Sequence, residues 1–296
     1  MAKIYLPGLK EYRDIDQIVA FGCSMTQGAE LLDNFRYPTI PDVEGFKRSF
    51  NDVMDWHRYH NATNITVSPE EEEEIRNKER QMAWPGQLAS LYDIPCYSYA
   101  EGGSSFEKQL TQFIDALSKN AITKKTLVVW GLTAKERGLW VAPNKMTTYM
   151  LNGIMDPPQL ESSSQDFWYQ HVNSDMMLLW KYYNCLTVMF SWASEYCNDQ
   201  FLFVQGVGKN MLDKNCFNEA ELKYLSETPE FLSTILNLQN MLEPKYNKYR
   251  IFKNNIEHCL FEWTGKFKDF RLSGSHPTLA AHIKYASLIK NELAEK

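Results

Sequence analysis

The sequence predicts a doubly wound α/β sandwich on a mainly parallel sheet. Two observations carry that expectation: four short apolar runs with turn residues at their ends, and helical patterns between successive runs. The runs are 17–23 (QIVAFGC), 94–100 (IPCYSYA), 126–132 (TLVVWGL) and 201–206 (FLFVQG). Each ends on a Gly, a Ser or another turn residue, as a strand buried between two helical layers does.

The helices follow in order. Ser68 as N-cap, Pro69 at the first helical position and Glu71 at the capping-box position predict a helix start, with glutamates 70–74 facing its positive end. The stretch 104–118 carries Phe106, Leu110, Phe113, Ile114 and Leu117 as a helical stripe. A long helix is expected over 173–197, with Met177, Leu178, Tyr182, Leu186, Met189, Phe190 and Ala193 buried. A last helix over 277–294 is expected to open on Pro277 and to bury Ile283, Ala286, Ile289 and Leu293. The chain then reads as one α/β domain over 1–296 with insertions at about 29–82, 138–172 and 207–258. The second is rich in Asn, Pro, Ser and Gln and is expected to pass over the carboxyl edge of the sheet, where long loops are usually functional or disordered.

Composition narrows the function. A chain of 296 residues, 44% hydrophobic and 14% aromatic, can bury a full core. A formal charge of −6, with no dense basic cluster, argues against a nucleic-acid surface. The six cysteines show neither CxxC nor zinc spacing, and reduced core thiols fit better than a disulfide framework. Met1–Gly8 has no apolar h-region, and no run approaches the ~20 residues of a membrane span. The expectation is a soluble chain without an export signal or membrane partner.

Four positions could carry chemistry. Ser24 follows the first strand in FGCSMTQG, where Gly22 and Gly28 permit tight geometry and leave the amide of Ser24 or its neighbour free to donate. A strand-ending turn with a Ser cap is the structural alternative. A phosphate-binding loop is disfavoured, because no Lys-Ser/Thr pair follows and GxGxxG spacing is absent. His276, in SGSHP, stands before a helix-opening proline and could take the Ser24 proton, since its ordinary pKa near 6.5 suits work at neutral pH. Gly103 in AEGGSS and Thr133 after WGL could add an amide and a hydroxyl at the same edge; turn residues capping the next helix are the competing explanation. His282 reads as packing or surface, and Arg137 and Glu136 as a surface ion pair. His57, His60, His171 and His258 have no motif around them.

The ordered set Gly22-Cys23-Ser24-Met25-Thr26-x-Gly28, Ser98-x-Ala100-x-x-Gly103-x-Ser105, Gly131-Leu132-Thr133 and Ser273-Gly274-Ser275-His276-Pro277 resembles the SGNH (GDSL-like) hydrolases. FGCSMTQGAEL, AWPGQLA at 83–89 and WGLTAKER at 130–137 look like the SGNH-like proteins of tailed bacteriophages. The resemblance covers about 17–137 and 270–290. It implies a flavodoxin-like three-layer α/β/α sandwich and a serine esterase acting through an acyl-serine intermediate, with no metal or cofactor. Ser24 would be nucleophile, His276 base, and Ser24, Gly103 and Thr133 the oxyanion donors. Three departures matter. Cys23 replaces an aspartate whose side chain is not catalytic, Thr133 replaces a longer asparagine, and Ser273 replaces the acid three residues before the histidine. Loss of the corresponding charge in a serine-protease triad costs about 10⁴ in kcat. Asp269, a backbone carbonyl or Ser273 itself would have to orient the ring, giving an atypical Ser-His dyad.

The substrate implied is a small-molecule or carbohydrate ester, with O-deacetylation as one form. Trp140, Tyr149, Trp168 and Tyr169 could wall a sugar site, though such aromatics are more often core. The alternative is a catalytically degraded scaffold that contacts virion proteins. A host cytoplasm and a virion are both compatible locations.

Overall fold

The strand Gln17–Phe21 (β3) lies inside a four-stranded parallel sheet, between Cys96–Ser98 (β4) on one side and Thr126–Leu132 (β5) on the other; Phe201–Gln205 (β8) follows β5. The computed structural model describes residues 1–29, 31–32, 68–134, 137–142, 145–150, 175–206, 226–252, 259–266 and 276–294. Taken in chain order, the parallel strands lie 2-1-3-4. A parallel bridge between Phe203 and Arg250, with the Ile251 amide donating to Phe203 O at 3.2 Å, continues the series beyond β8. That is the flavodoxin-like order, in which ligands meet the carboxyl ends of the strands where the winding reverses.

The strands alternate cleanly between two cores. Val19, Phe21, Val128, Trp130, Leu132, Phe201 and Phe203 point to one face, covered by helices Phe106–Ser118 (α4), Asp175–Tyr196 (α5) and Pro229–Tyr249 (α6). Ile18, Ala20, Leu127, Val129, Leu202 and Val204 point to the other, covered by Trp84–Leu91 (α3), Leu260–Gly265 (α7) and Leu279–Glu292 (α8). Period-two alternation buries a strand on both faces only when both are roofed. All seven residues of β5 are buried, and a tilted aromatic stack of Phe21, Phe113 and Trp130 fills the first core.

Every expected strand forms, within two residues at either end. The capping box is present in full at Pro69–Met82 (α2): Glu71 N–H donates to Ser68 Oγ at 3.1 Å and Ser68 N–H to Glu71 Oε2 at 2.8 Å. In α4 the buried face is Phe106, Gln109, Phe113 and Ala116; Ile114 is 53% exposed, because the stripe is rotated toward Gln109, which accepts a hydrogen bond from the indole of Trp130. The long helix buries Leu178, Tyr182, Leu186, Met189, Phe190 and Ala193 as expected; the Met177 side chain lies outside the described residues. The last helix begins at Leu279 with Thr278 as N-cap, so Pro277 precedes it. It buries Ala281, His282, Tyr285, Ala286 and Ile289, and leaves Ile283 outside at 46% exposure.

Three features go beyond the expected set. Ala2–Leu6 (β1) and Glu11–Ile15 (β2) form an antiparallel hairpin whose Ile4, Leu6 and Ile15 enter the second core. Arg137–Ala142 (β6) and Lys145–Met150 (β7) pair antiparallel within the predicted excursion. Helix α6 falls in the stretch 207–258, yet its Ile235, Leu242, Tyr246 and Tyr249 belong to the first core. The described cysteines, Cys23, Cys96, Cys185, Cys197 and Cys259, are buried and joined in no disulfide among the described residues. Burial pushes the Cys96, Cys185 and Cys197 thiols up to about 12, so they stay protonated and unreactive. Among the described residues, no helix is long and apolar enough to cross a membrane.

Candidate active site

Ser24 is the first residue of a one-turn helix, Ser24–Gln27 (α1), which starts where β3 ends. Cys23 is the N-cap and makes no side-chain cap bond, so the Ser24 hydroxyl is not spent on capping. Thr26 and Gln27 donate back to Cys23 O at 2.9 Å, which leaves the amides of Ser24 and Met25 without an acceptor in their own turn. Gly28 closes the turn in the left-handed conformation (φ 78°), its N–H on Ser24 O at 3.0 Å. The hydroxyl-bearing residue is 7% exposed at the carboxyl edge of the sheet.

Two more strand ends converge there. The ladder pairs Ala20 with Ser98, and Glu101 N–H donates to Gly22 O at 3.1 Å, which carries the loop 100–105 past Ser24. A Cβ placed on Gly102 would stand 3.9 Å from Ser24 Cβ and 3.4 Å from Gln27 Oε1. Gly103 takes φ 72°, a conformation that favours glycine. The loop is pinned: Arg80 donates to Ala100 O at 3.3 Å, Gln112 to Glu101 at 3.1 Å, and Ser105 caps α4. On the other side Phe21 pairs with Trp130, so Thr133 leaves β5 level with Ser24. Thr133 is fully buried and its hydroxyl has no partner among the described residues.

The floor is Thr26. Cβ atoms on Gly22 and Gly131 would fall 2.3 Å and 2.0 Å from Thr26 Oγ1. Both glycines therefore make room for one threonine. The sequence reading saw Gly22 only as a flexible turn residue and had no role for Thr26.

His276 is half-buried just ahead of α8. Six residues on, His282 is fully buried, and its Nδ1 accepts the Trp84 amide at 3.1 Å. Its imidazole is pushed down to about 3, by burial first and then by repulsion from a charge on the nearby His276. His282 is thus neutral, with its proton on Nε2. Ser273, Asp269 and Glu136 lie outside the described residues, as do Trp168, Tyr169, His57, His60, His171 and His258; Trp140 and Tyr149 lie on the β6–β7 ribbon. Among the described residues, no group of three or more His, Cys, Asp or Glu side chains could hold a metal ion. A cavity of about 860 Å³, lined by Ile75, Arg80, Cys96 and Tyr97 among others, lies between α2 and β4.

The chain is similar in structure to several solved chains at low sequence identity. One is a member of the lipolytic protein G-D-S-L family from Veillonella parvula DSM 2008 (12% identity, TM-score 0.39, covering 93% of this chain and 94% of that one). Another is a carbohydrate esterase whose active site displays divergent catalytic and non-catalytic binding functions (14%, 0.44, 96% and 69%). A third is described as a GDSL-like lipase, from Parabacteroides merdae ATCC 43184 (12%, 0.40, 95% and 96%). Residue roles do not transfer at such identities. No family model and no curated protein matches the chain.

Proposed function

We propose that the chain is an SGNH-like serine esterase. Ser24 Oγ attacks the ester carbonyl while His276 takes the hydroxyl proton. The oxyanion is held by the amides of Ser24 and Gly103 and the hydroxyl of Thr133. Collapse breaks the ester C–O bond, His276 returns the proton to the leaving alcohol, and water, activated by the same imidazole, releases the acid from Ser24. Asp269 or Ser273 orients the ring. The substrate is a small acyl ester, with an O-acetyl group on a carbohydrate as the finer assignment.

The observation that carries this reading is the Ser24 turn. Its hydroxyl is not spent on capping, its amide has no acceptor within the turn, and a Cβ built on Gly102 would stand 3.9 Å from Ser24 Cβ. Catalytic hydrogen bonds are often loose without substrate and tighten when it binds. A fluorophosphonate probe is expected to label Ser24, and p-nitrophenyl acetate to be turned over. Ser24→Ala should abolish both without moving the melting temperature.

Ser273, standing where the resemblance implies an acid, favours a second reading, a scaffold whose inherited site is silent and whose surface contacts virion or other proteins. Neither labelling nor turnover across a broad ester panel is the outcome that selects it.

A further inference from the structure

Helix α3 opens without a cap of its own. Ala83 at its N-cap position makes no side-chain bond, and Pro85 follows in the first turn. The acceptor for its first amide comes from a distant part of the chain: His282 Nδ1 takes the Trp84 N–H at 3.1 Å. This bond fastens the first turn of α8, and with it the segment bearing His276, to the junction between α2 and α3. The same junction touches the Ser24 turn. A Cβ on Gly28 would stand 2.9 Å from Glu79 O and 3.0 Å from Ala83 Cβ, and the Gly28 amide closes on Ser24 O at 3.0 Å. A short path of close contacts thus runs from His282 through Trp84 and Ala83 to Gly28 and Ser24.

We infer that His282 is a positioning residue for His276, setting where the His276 segment stands relative to Ser24 by capping α3. This rests on the assignment of Ser24 and His276 made above. Two further observations separate His282 from ordinary packing. Its ring is fully buried, and the amide it caps belongs to Trp84, whose indole meets the Tyr285 ring edge-on at 6.0 Å. Its Nε2–H is buried with no acceptor among the described residues, an uncommon expense in a native core and one an Asn or Ser cap would avoid. A charge on His276 is felt at His282, which puts the two imidazoles in the same neighbourhood. The bond also survives acid: the ring stays neutral down to about pH 3, so its Nδ1 remains an acceptor throughout the working range.

The test compares three variants with wild type, reading kcat and KM for p-nitrophenyl acetate and the rate of fluorophosphonate labelling per folded protein. His282→Phe keeps the volume and removes the acceptor. His282→Asn supplies an amide oxygen near the Nδ1 position. His282→Ala removes both volume and acceptor. Misplacing a catalytic group by about an ångström costs ~10²-fold, so His282→Phe and His282→Ala are expected to lose kcat and labelling rate on that order with KM unchanged. His282→Asn should recover most of the loss. Equal rates for His282→Phe and wild type, or no recovery in His282→Asn, overturn the positioning role. Ser24→Ala and His276→Ala run beside them. If both are dead while His282→Phe is fully active, the positioning role alone fails. If either retains turnover, the assignment of the site fails and takes the positioning role with it.

Discussion

Thr26 and its two glycines show how tightly the residues under Ser24 are fitted. A methyl group at Gly131 would sit 2.0 Å from Thr26 Oγ1 but 3.2 Å from Thr26 Cβ, so the clash belongs to the hydroxyl end of one side chain. Gly131→Ala is expected to destabilise the protein by about 1–3 kcal/mol, the usual cost of overpacking. Thr26→Ala removes the obstructing atom, so the double variant should be more stable than the sum of the two single changes; denaturant unfolding of all four proteins measures the coupling. Strict additivity would mean that Gly131 and Thr26 do not share the space. His282 gives a second residue-level expectation. Its pKa is about 3 in the folded protein, below the ordinary 6.5, so the unfolded chain binds the extra proton between those values. Stability from this group is complete above about pH 6.5 and falls as pH drops toward 3, by at most about 1.4 kcal/mol per pH unit. Melting temperature against pH should fall less steeply on the acid side in His282→Asn than in wild type.

At the scale of elements, helix starts and buried strands were the legible part. Helix α2 announces itself through Ser68, Pro69 and Glu71, and the structure contains both bonds of the box. Ser68→Ala should cost about 0.5–2 kcal/mol of local helix stability, seen as faster amide exchange across the first turn of α2. No change in exchange would mean that the glutamates beside it suffice. Elements with few buried positions were not legible. Strand β2 buries only Ile15 of EYRDI, too little for an alternation to register. Helix α3 lacks a cap residue because its cap is His282, which local sequence cannot reveal. In α4 one residue of the expected stripe, Ile114, faces outward for a related reason. Gln109 is fully buried because Trp130 needs an acceptor, and a polar residue in a core face hides the true phase of the helix. The one hint of α3 was an Ala-Trp-Pro start with no Ser, Thr, Asp or Asn before it, a helix end in need of an outside partner.

Across the whole molecule, the order 2-1-3-4 sets β3 and β5 side by side in the interior of the sheet, with their ends at the edge where Ser24 and Thr133 emerge. Amide exchange should be slowest in Thr126–Leu132, whose residues are all buried and which pairs with a strand on each side, and much faster in α2, where Ile75 and Glu79 are the buried residues. Comparable rates in the two would show that the sheet opens in pieces. That the segments bearing Ser24, Gly103 and Thr133 end at one edge was legible, because strand ends in a parallel sheet share an edge and three strand-ending motifs marked them. The arrangement around His276 was not, since it depends on a tertiary bond between α8 and α3. The position of α8 in the chain has a further effect during translation. The ribosome releases the four parallel strands and the Ser24 turn first, and the segment bearing His276, with its anchor on α3, only after them, so a nascent polypeptide can complete its sheet before that segment exists.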